Sequence, residues 1–298
     1  MALGISAPDQ LQTSSPGEAI ETVKPANSLD SASAAVDVAH PSTVTILPDA
    51  YALGNAAFAQ GDYRQALDYY NQTLADAPNL AEAYNNRGNV FYCLGQWEEA
   101  IADYTQAFTL RSNYPRAHFN CGNAYYAMGN VAAALASFSQ AVEQDPNYSE
   151  AYNNRGNCYT RLKQYQEAMD DFDRALALDP QFTQAQNSIG NLYYQINQYD
   201  EALASYHQSL VLNPNQPEAY NNRGNVYLAQ GEYSLAIENY NQALALNADY
   251  AEAYYNRGLA HRRLGHNPEA QADLHQALSL AQAQQNLALV REIQATPR

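Results

Sequence analysis

Lysine is nearly missing from this chain, with Lys24 and Lys163 the only two in 298 residues. Fifteen basic residues stand against 31 acidic ones, giving a formal charge of −16, and no run of Lys or Arg interrupts the imbalance. Such a field repels phosphate, so nucleic acid and anionic lipid are disfavoured as partners and a basic or neutral protein is expected. Long apolar runs are missing too. No stretch approaches the ~20 apolar residues that a membrane-spanning helix needs. Cys93, Cys121 and Cys158 are odd in number, lie 28 and 37 residues apart and form no CxxC pair. They point to a reducing, cytoplasmic setting, with Cys121 and Cys158 as small packing residues. The six histidines are scattered without metal-ligand spacing, and no glycine-rich phosphate loop or GxSxG occurs. Acidic neighbours such as Glu98 with Glu99 and Asp170 with Asp171 read as the solvated face of a helix. The chain is thus expected to be no enzyme and to need no cofactor or metal.

Residues 1–46 differ from everything after them. They are rich in Ser, Ala, Pro and Thr, almost free of aromatics, and lack a basic segment followed by an apolar one, so they read as a disordered tail and not as a signal peptide. One short helix is an alternative there, from Gly17 to Val23, with Ser15 and Pro16 at its start.

From Leu47 on, one pattern returns every 34 residues. Glycine marks it at Gly54, Gly88, Gly122, Gly156, Gly190, Gly224 and Gly258, and twelve residues after each stands Ala66, Ala100, Ala134, Ala168, Ala202, Ala236 or Ala270. Apolar spacing within each copy is helical, and breakers fall where two antiparallel helices would need them. In the second copy a first helix is expected from Ala81 to Leu94, a left-handed cap at Gly95, and a second helix from Trp97 to about Leu110. Small residues at Gly88 and Ala100 let the two backbones approach, while Tyr84, Phe91, Trp97 and Tyr104 fill the remaining space. Burying each such ring contributes ~2–3 kcal/mol, so the 25 tyrosines are read mostly as packing. Pro146, Pro180 and Pro214 follow Asp145, Asp179 and Asn213 as helix stops, and Ser112 and Ala248 break that rule, which predicts altered junctions after the second and sixth copies. The last copy departs further, with Asn267, Pro268, Leu274 and Gln282 at variant places. A capping helix is expected near its end, with Leu287, Val290 and Ile293 on one face.

The order Tyr84, Gly88, Phe91, Ala100, Tyr104, closed elsewhere by proline, resembles the tetratricopeptide repeat. The resemblance implies an all-α, right-handed superhelical solenoid of seven helix-turn-helix repeats. Their bounds would be 47–80, 81–114, 115–148, 149–182, 183–216, 217–250 and 251–284, with residues 285–298 as cap and tail. It also implies that the first helix of each repeat lines a concave groove. The NRG triplets resemble repeats of cyanobacterial tetratricopeptide proteins, which implies an assembly-factor setting.

Within that groove the resemblance places a ladder of asparagines. If Tyr84, Gly88, Phe91 and Leu94 face neighbouring helices, then Glu82, Asn85, Asn86, Asn89 and Tyr92 fall on another side of the same helix. After the marker glycine stand Asn55, Asn89, Asn123, Asn157, Asn191 and Asn225; two residues before it stand Asn86, Asn120, Asn154, Asn222 and Asn256. A carboxamide both donates and accepts, so such a ladder can hold an extended peptide by its main chain, as the superhelical part of O-linked N-acetylglucosamine transferases resembles. Tyr92, Tyr126 and Tyr194 would add apolar contacts. The other reading is that the asparagines bridge adjacent helices. Arg87, Arg155, Arg223 and Arg257 precede the glycine and are expected to cover aromatic faces and pair with acids. Co-chaperone members of the family grip a terminal carboxylate with groove lysines; the matching places here hold Tyr51, Asn85, Phe119 and Asn153, and Arg161, Arg262 and Arg263 do not complete a clamp. The expected function is a non-catalytic scaffold or assembly adaptor that captures a protein segment in its groove. The alternative is a structural module that self-associates or docks a larger complex through an acidic convex face.

Overall fold

The computed structural model describes residues 49–296; the tail and its alternative helix at Gly17–Val23 lie outside the described residues. Among the described residues there are fifteen helices and no strand. They are α1 (Asp49–Ala59), α2 (Tyr63–Asp76), α3 (Ala81–Cys93), α4 (Trp97–Leu110), α5 (Pro115–Ala127), α6 (Val131–Gln144), α7 (Ser149–Arg161), α8 (Tyr165–Leu178), α9 (Thr183–Gln195), α10 (Tyr199–Leu212), α11 (Pro217–Gln230), α12 (Tyr233–Leu246), α13 (Ala251–Arg263), α14 (Asn267–Ala283) and α15 (Leu287–Ala295). Each odd-numbered helix packs most extensively on the even one after it, and each even helix then packs on the next odd one. Neither helix of a pair could bury its apolar stripe alone, so stacking supplies the core. Successive odd helices also meet one another, while even helices make no comparable approach. The stack therefore bends with the odd helices on its inner side.

The close approach inside a pair depends on the marker glycine. A Cβ at Gly88 would lie 2.7 Å from Tyr104 Cε1, and one at Gly156 would lie 2.6 Å from Phe172 Cε1. Ala100 and Ala168 are fully buried opposite. The turn closing each odd helix from α1 to α13 carries a left-handed residue: Gly95 has φ 73°, its N–H bonds Tyr92 O at 3.0 Å, and Gln96 N–H reaches back to Phe91 O at 2.9 Å. These bonds satisfy carbonyls that the helix end would leave open. Lys163 and Asn197, both with φ 60°, occupy the same place in later repeats without glycine.

At the last four of the six junctions between repeats an Asx side chain sets the turn, with or without a proline after it. Asp145, Asp179, Asn213 and Asn247 each accept from the backbone N–H two residues on, at 2.9–3.0 Å. The junction at Asn247–Ala248 is thus built like those with proline, and the altered junction expected there is absent. After α4, Gln144 reaches across from α6: its Oε1 accepts from Tyr114 N at 2.8 Å and its Nε2 donates to Ser112 O at 3.1 Å. At the far end α14 runs seventeen residues against fourteen in α12, and α15 packs on it through buried Leu289 and Ile293. Leu287 is not on that apolar face; it is 64% exposed.

Candidate functional site

The asparagine stripe sits deeper than its polarity suggests. Asn85, Asn86, Asn89 and Asn120 are 0–3% exposed, whereas Leu94, expected to pack inward, is 45% exposed. Tyr84 and Phe91 are half-buried. Each odd helix is wedged between its partner and the next repeat, so the asparagine side meets protein and the end of the helix meets solvent.

Their carboxamides form rungs between repeats. Asn86 Nδ2 donates to Asn55 Oδ1 at 3.2 Å and to the Tyr51 hydroxyl at 3.1 Å. One repeat on, Asn120 Nδ2 donates to both Asn85 Oδ1 and Asn89 Oδ1, each at 3.0 Å. Asn154 donates to Asn123 at 2.9 Å, Asn222 to Asn191 at 3.1 Å and Asn256 to Asn221 at 3.1 Å. A second donor comes from the even helix: the hydroxyls of Tyr70, Tyr104 and Tyr240 donate to Asn55, Asn89 and Asn225 at 2.8–2.9 Å, and Tyr206 does the same to Asn191. A buried amide must be satisfied, and here the ladder largely satisfies itself. Asn85, Asn86, Asn89 and Asn120 are therefore buried groups that bridge repeats, not side chains on an open groove wall, although Asn120 Oδ1 itself has no partner. Asn123, Asn154, Asn157, Asn191, Asn222 and Asn225 stay half-buried.

The three tyrosines are also half-buried. The Arg161 guanidinium lies over the Tyr126 ring at 5.1 Å, and Tyr194 lies 5.8 Å from the ring of Tyr199. Burial pushes the Tyr194 hydroxyl up to about 12, with a smaller contribution from Tyr199. The clamp positions hold Tyr51, Asn85, Phe119 and Asn153, all 0–4% exposed.

Three of the four arginines pair with an acid as expected, while Arg223 lies over the Tyr220 ring at 5.4 Å but bonds Asn239 Oδ1 at 2.7 Å in place of an acid. Arg87 grips Asp103 with Nε and Nη2 at 2.7 Å each, Arg155 grips Asp171 at 2.7 and 2.6 Å, and Arg257 grips Asp273 at 2.8 and 2.7 Å. Each guanidinium also lies over the ring three residues before it, at 5.3–5.5 Å. Asp171 is 5% exposed and belongs to this pair, so it is no part of a solvated face. Burial pushes the Asp103 and Asp171 carboxyls up despite the opposing pull of their arginines. The acid partners and the tyrosine-to-asparagine bonds escaped sequence reasoning. Their signal was present: aspartate stands sixteen residues after three of these arginines, and Cys121 and Ile189 have Ser137 and Ser205 at that distance instead.

Among the described residues no three His, Cys, Asp or Glu side chains gather in a way that could hold a metal ion, and no helix is long and apolar enough to cross a membrane.

Comparison with known proteins matches this architecture. A solved tetratricopeptide repeat protein from Parabacteroides merdae aligns with a TM-score of 0.70 at 20% identity, over 83% of this chain and 98% of the other. A chain of the APC/C hetero-tetramer Cut9-Hcn1 aligns at 0.68 and 16% identity, over 80% of this chain and 48% of that one. Pseudomonas aeruginosa pilF gives 0.57 and 20%, over 72% and 97%. At these identities the likeness shows the fold alone. No curated protein matches the chain. The family described as "TPR repeat" matches residues 54–95, 88–129, 190–231 and 224–265, just over half of the chain. Models described as "Tetratricopeptide repeat" match 119–181 and 251–283. The chain belongs to the tetratricopeptide repeat family.

Proposed function

We propose that the chain is a non-catalytic adaptor that takes an extended segment of a partner protein against the inner face of its odd helices. The observation that supports this reading is the approach of successive odd helices to one another, together with half-buried Asn123, Asn157 and Asn191 at one-repeat spacing, and Tyr126 and Tyr194 two repeats apart, on those helices. Amide and phenol groups at one-repeat intervals suit an extended main chain, which carries a donor and an acceptor at every residue. The buried asparagines hold the spacing, and the half-buried ones with the tyrosines make contact. A charge of −16 favours a basic or neutral segment and disfavours nucleic acid. The NRG resemblance to cyanobacterial repeats makes assembly of a larger complex in the cytoplasm the setting.

Affinity capture tests this reading. The full chain and a variant with Tyr126, Asn157 and Tyr194 changed to Ala are used as baits against native extract, after circular dichroism has shown equal helicity. Partners held by the full chain and lost from the variant support the inner face. Equal capture by both moves the working surface to the even helices, the docking or self-associating module of the alternative.

A further inference from the structure

Of the six asparagines that follow a marker glycine, five have their carbonyl occupied. Asn55, Asn89 and Asn191 each accept from a tyrosine hydroxyl and from the next repeat's asparagine, Asn123 accepts from Asn154, and Asn225 accepts from Tyr240. Asn157 has no protein partner among the described residues. Two residues of this junction account for it. Phe172 stands where a tyrosine would donate its hydroxyl, and Ser188 stands where the next asparagine would reach back.

The opening extends one turn further. Between the second and third repeats, Asn120 Nδ2 bonds both Asn85 Oδ1 and Asn89 Oδ1. The equivalent acceptors here are Asn153 and Asn157. Asn153 is 4% exposed and its Oδ1 is unpartnered, as are the Oδ1 atoms of Asn120 and Asn187 on the neighbouring odd helices; what sets Asn153 apart is that it is the acceptor of a rung whose donor is missing, and a buried carbonyl calls for a donor. Packing changes at the same place: α9 lies nearer to α7, and covers less of α8, than the equivalent helices of other repeats. Family matches stop at residue 181 and resume at 190.

We infer that the junction of α7 and α9 is a subsite for an amide group of the partner. The side chain of Asn157 accepts from that amide's N–H and donates to its carbonyl, and the amide takes the place that the next repeat's asparagine fills elsewhere. Asn153 and Asn157 are themselves uncharged, and Arg161, one turn along α7, lies over the Tyr126 ring at 5.1 Å, so the two asparagines read hydrogen-bonding shape. A main-chain amide and an Asn or Gln side chain share this chemistry. The inference rests on the inner face as partner surface and narrows it to one junction.

The test uses the full chain labelled with 15N and follows its asparagine side-chain amide resonances during titration. N-methylacetamide stands for a main-chain amide and acetamide for a side-chain one. The Asn157 resonance is expected to shift saturably, with a midpoint at least several-fold below that of any other asparagine; the stronger probe tells which source the site prefers. Ser188→Asn supplies the missing donor, so it is expected to abolish the shift and raise the melting temperature. Asn157→Ala is expected to leave the melt unchanged, because no bond is lost. Uniform, unsaturable shifts at all asparagines, or a shift that survives Ser188→Asn, overturn the subsite. If either result accompanies partner capture that still depends on Tyr126 and Tyr194, the inner-face reading stands and only the subsite falls.

Discussion

Arg87 and Asp103, sixteen residues apart on the two helices of one repeat, meet in a two-bond fork whose members are 20% and 8% exposed. Burial holds the carboxyl up while the fork holds the guanidinium protonated. Such a pair is expensive to break and cheap to replace. Asp103→Ala is expected to cost about 2–3 kcal/mol in urea unfolding, because it leaves a half-buried cation. The double change Arg87→Ile with Asp103→Ser copies Ile189 and Ser205 and is expected to fall within about 1 kcal/mol of the parent. Equal losses for both variants would show that the ion pair itself supplies the stability.

Gly88 faces the opposite demand. Alanine is the better helix former by about 1 kcal/mol, yet its Cβ would sit 2.7 Å from the Tyr104 ring. Gly88→Ala is therefore expected to destabilise by about 1–3 kcal/mol, and Ala168→Leu to do the same at a fully buried contact. A melt unchanged by either would contradict the packing described.

Lys163 adopts φ 60° where five other repeats place glycine at φ 73–81°. A left-handed backbone costs a side chain roughly 1–2 kcal/mol. Lys163→Gly is expected to raise stability by about 0.5–1 kcal/mol, and Asn197→Gly by less, since asparagine tolerates this region. Thermal melts of the two variants decide it; a fall in either would mean that the turn is not strained.

Alkali should unfold the array steeply. Burial pushes the thiols of Cys121 and Cys158 up to about 11 and about 12, and holds the hydroxyls of Tyr104, Tyr206 and Tyr240 well above their usual range. The folded chain keeps these protons where the unfolded chain releases them. Their contribution is therefore complete below about pH 8.5–10 and is lost as pH rises through the folded values, at about 1.4 kcal/mol per pH unit for each group. Melting temperatures between pH 8 and 11.5 should be flat and then fall; a flat profile to pH 11.5 would show that these groups are not buried.

The repeat, its period and the turn glycines were legible because each repeats a residue type that one backbone or packing demand requires. Gly88 and Gly95 carry that information alone. The asparagine ladder was legible as a stripe but not as a set of bonds. Spacing of three and four tells which residues share a helix face, and it is silent on whether that face meets water or a neighbour; thus Asn85 looked open and Leu94 looked closed. Asp171 was misread for the same reason, since its neighbour Asp170 is exposed and only the partner Arg155 distinguishes the two. The break at Ser188 becomes meaningful only when Asn120 shows what an intact rung does.

The central claim, that the inner face holds the partner, is tested most directly by photo-crosslinking. Gln184 and Gln195 lie on the same face of α9 as Ser188 and Asn191, at helical spacing, while exposed Glu98 and Thr105 lie on the outer side of α4. A photoreactive residue placed at each of the four positions in turn would be irradiated in native extract. Crosslinks from Gln184 and Gln195 to one partner, with none from Glu98 or Thr105, are the predicted result. The same partner crosslinked from Glu98 and Thr105, and not from α9, would contradict it.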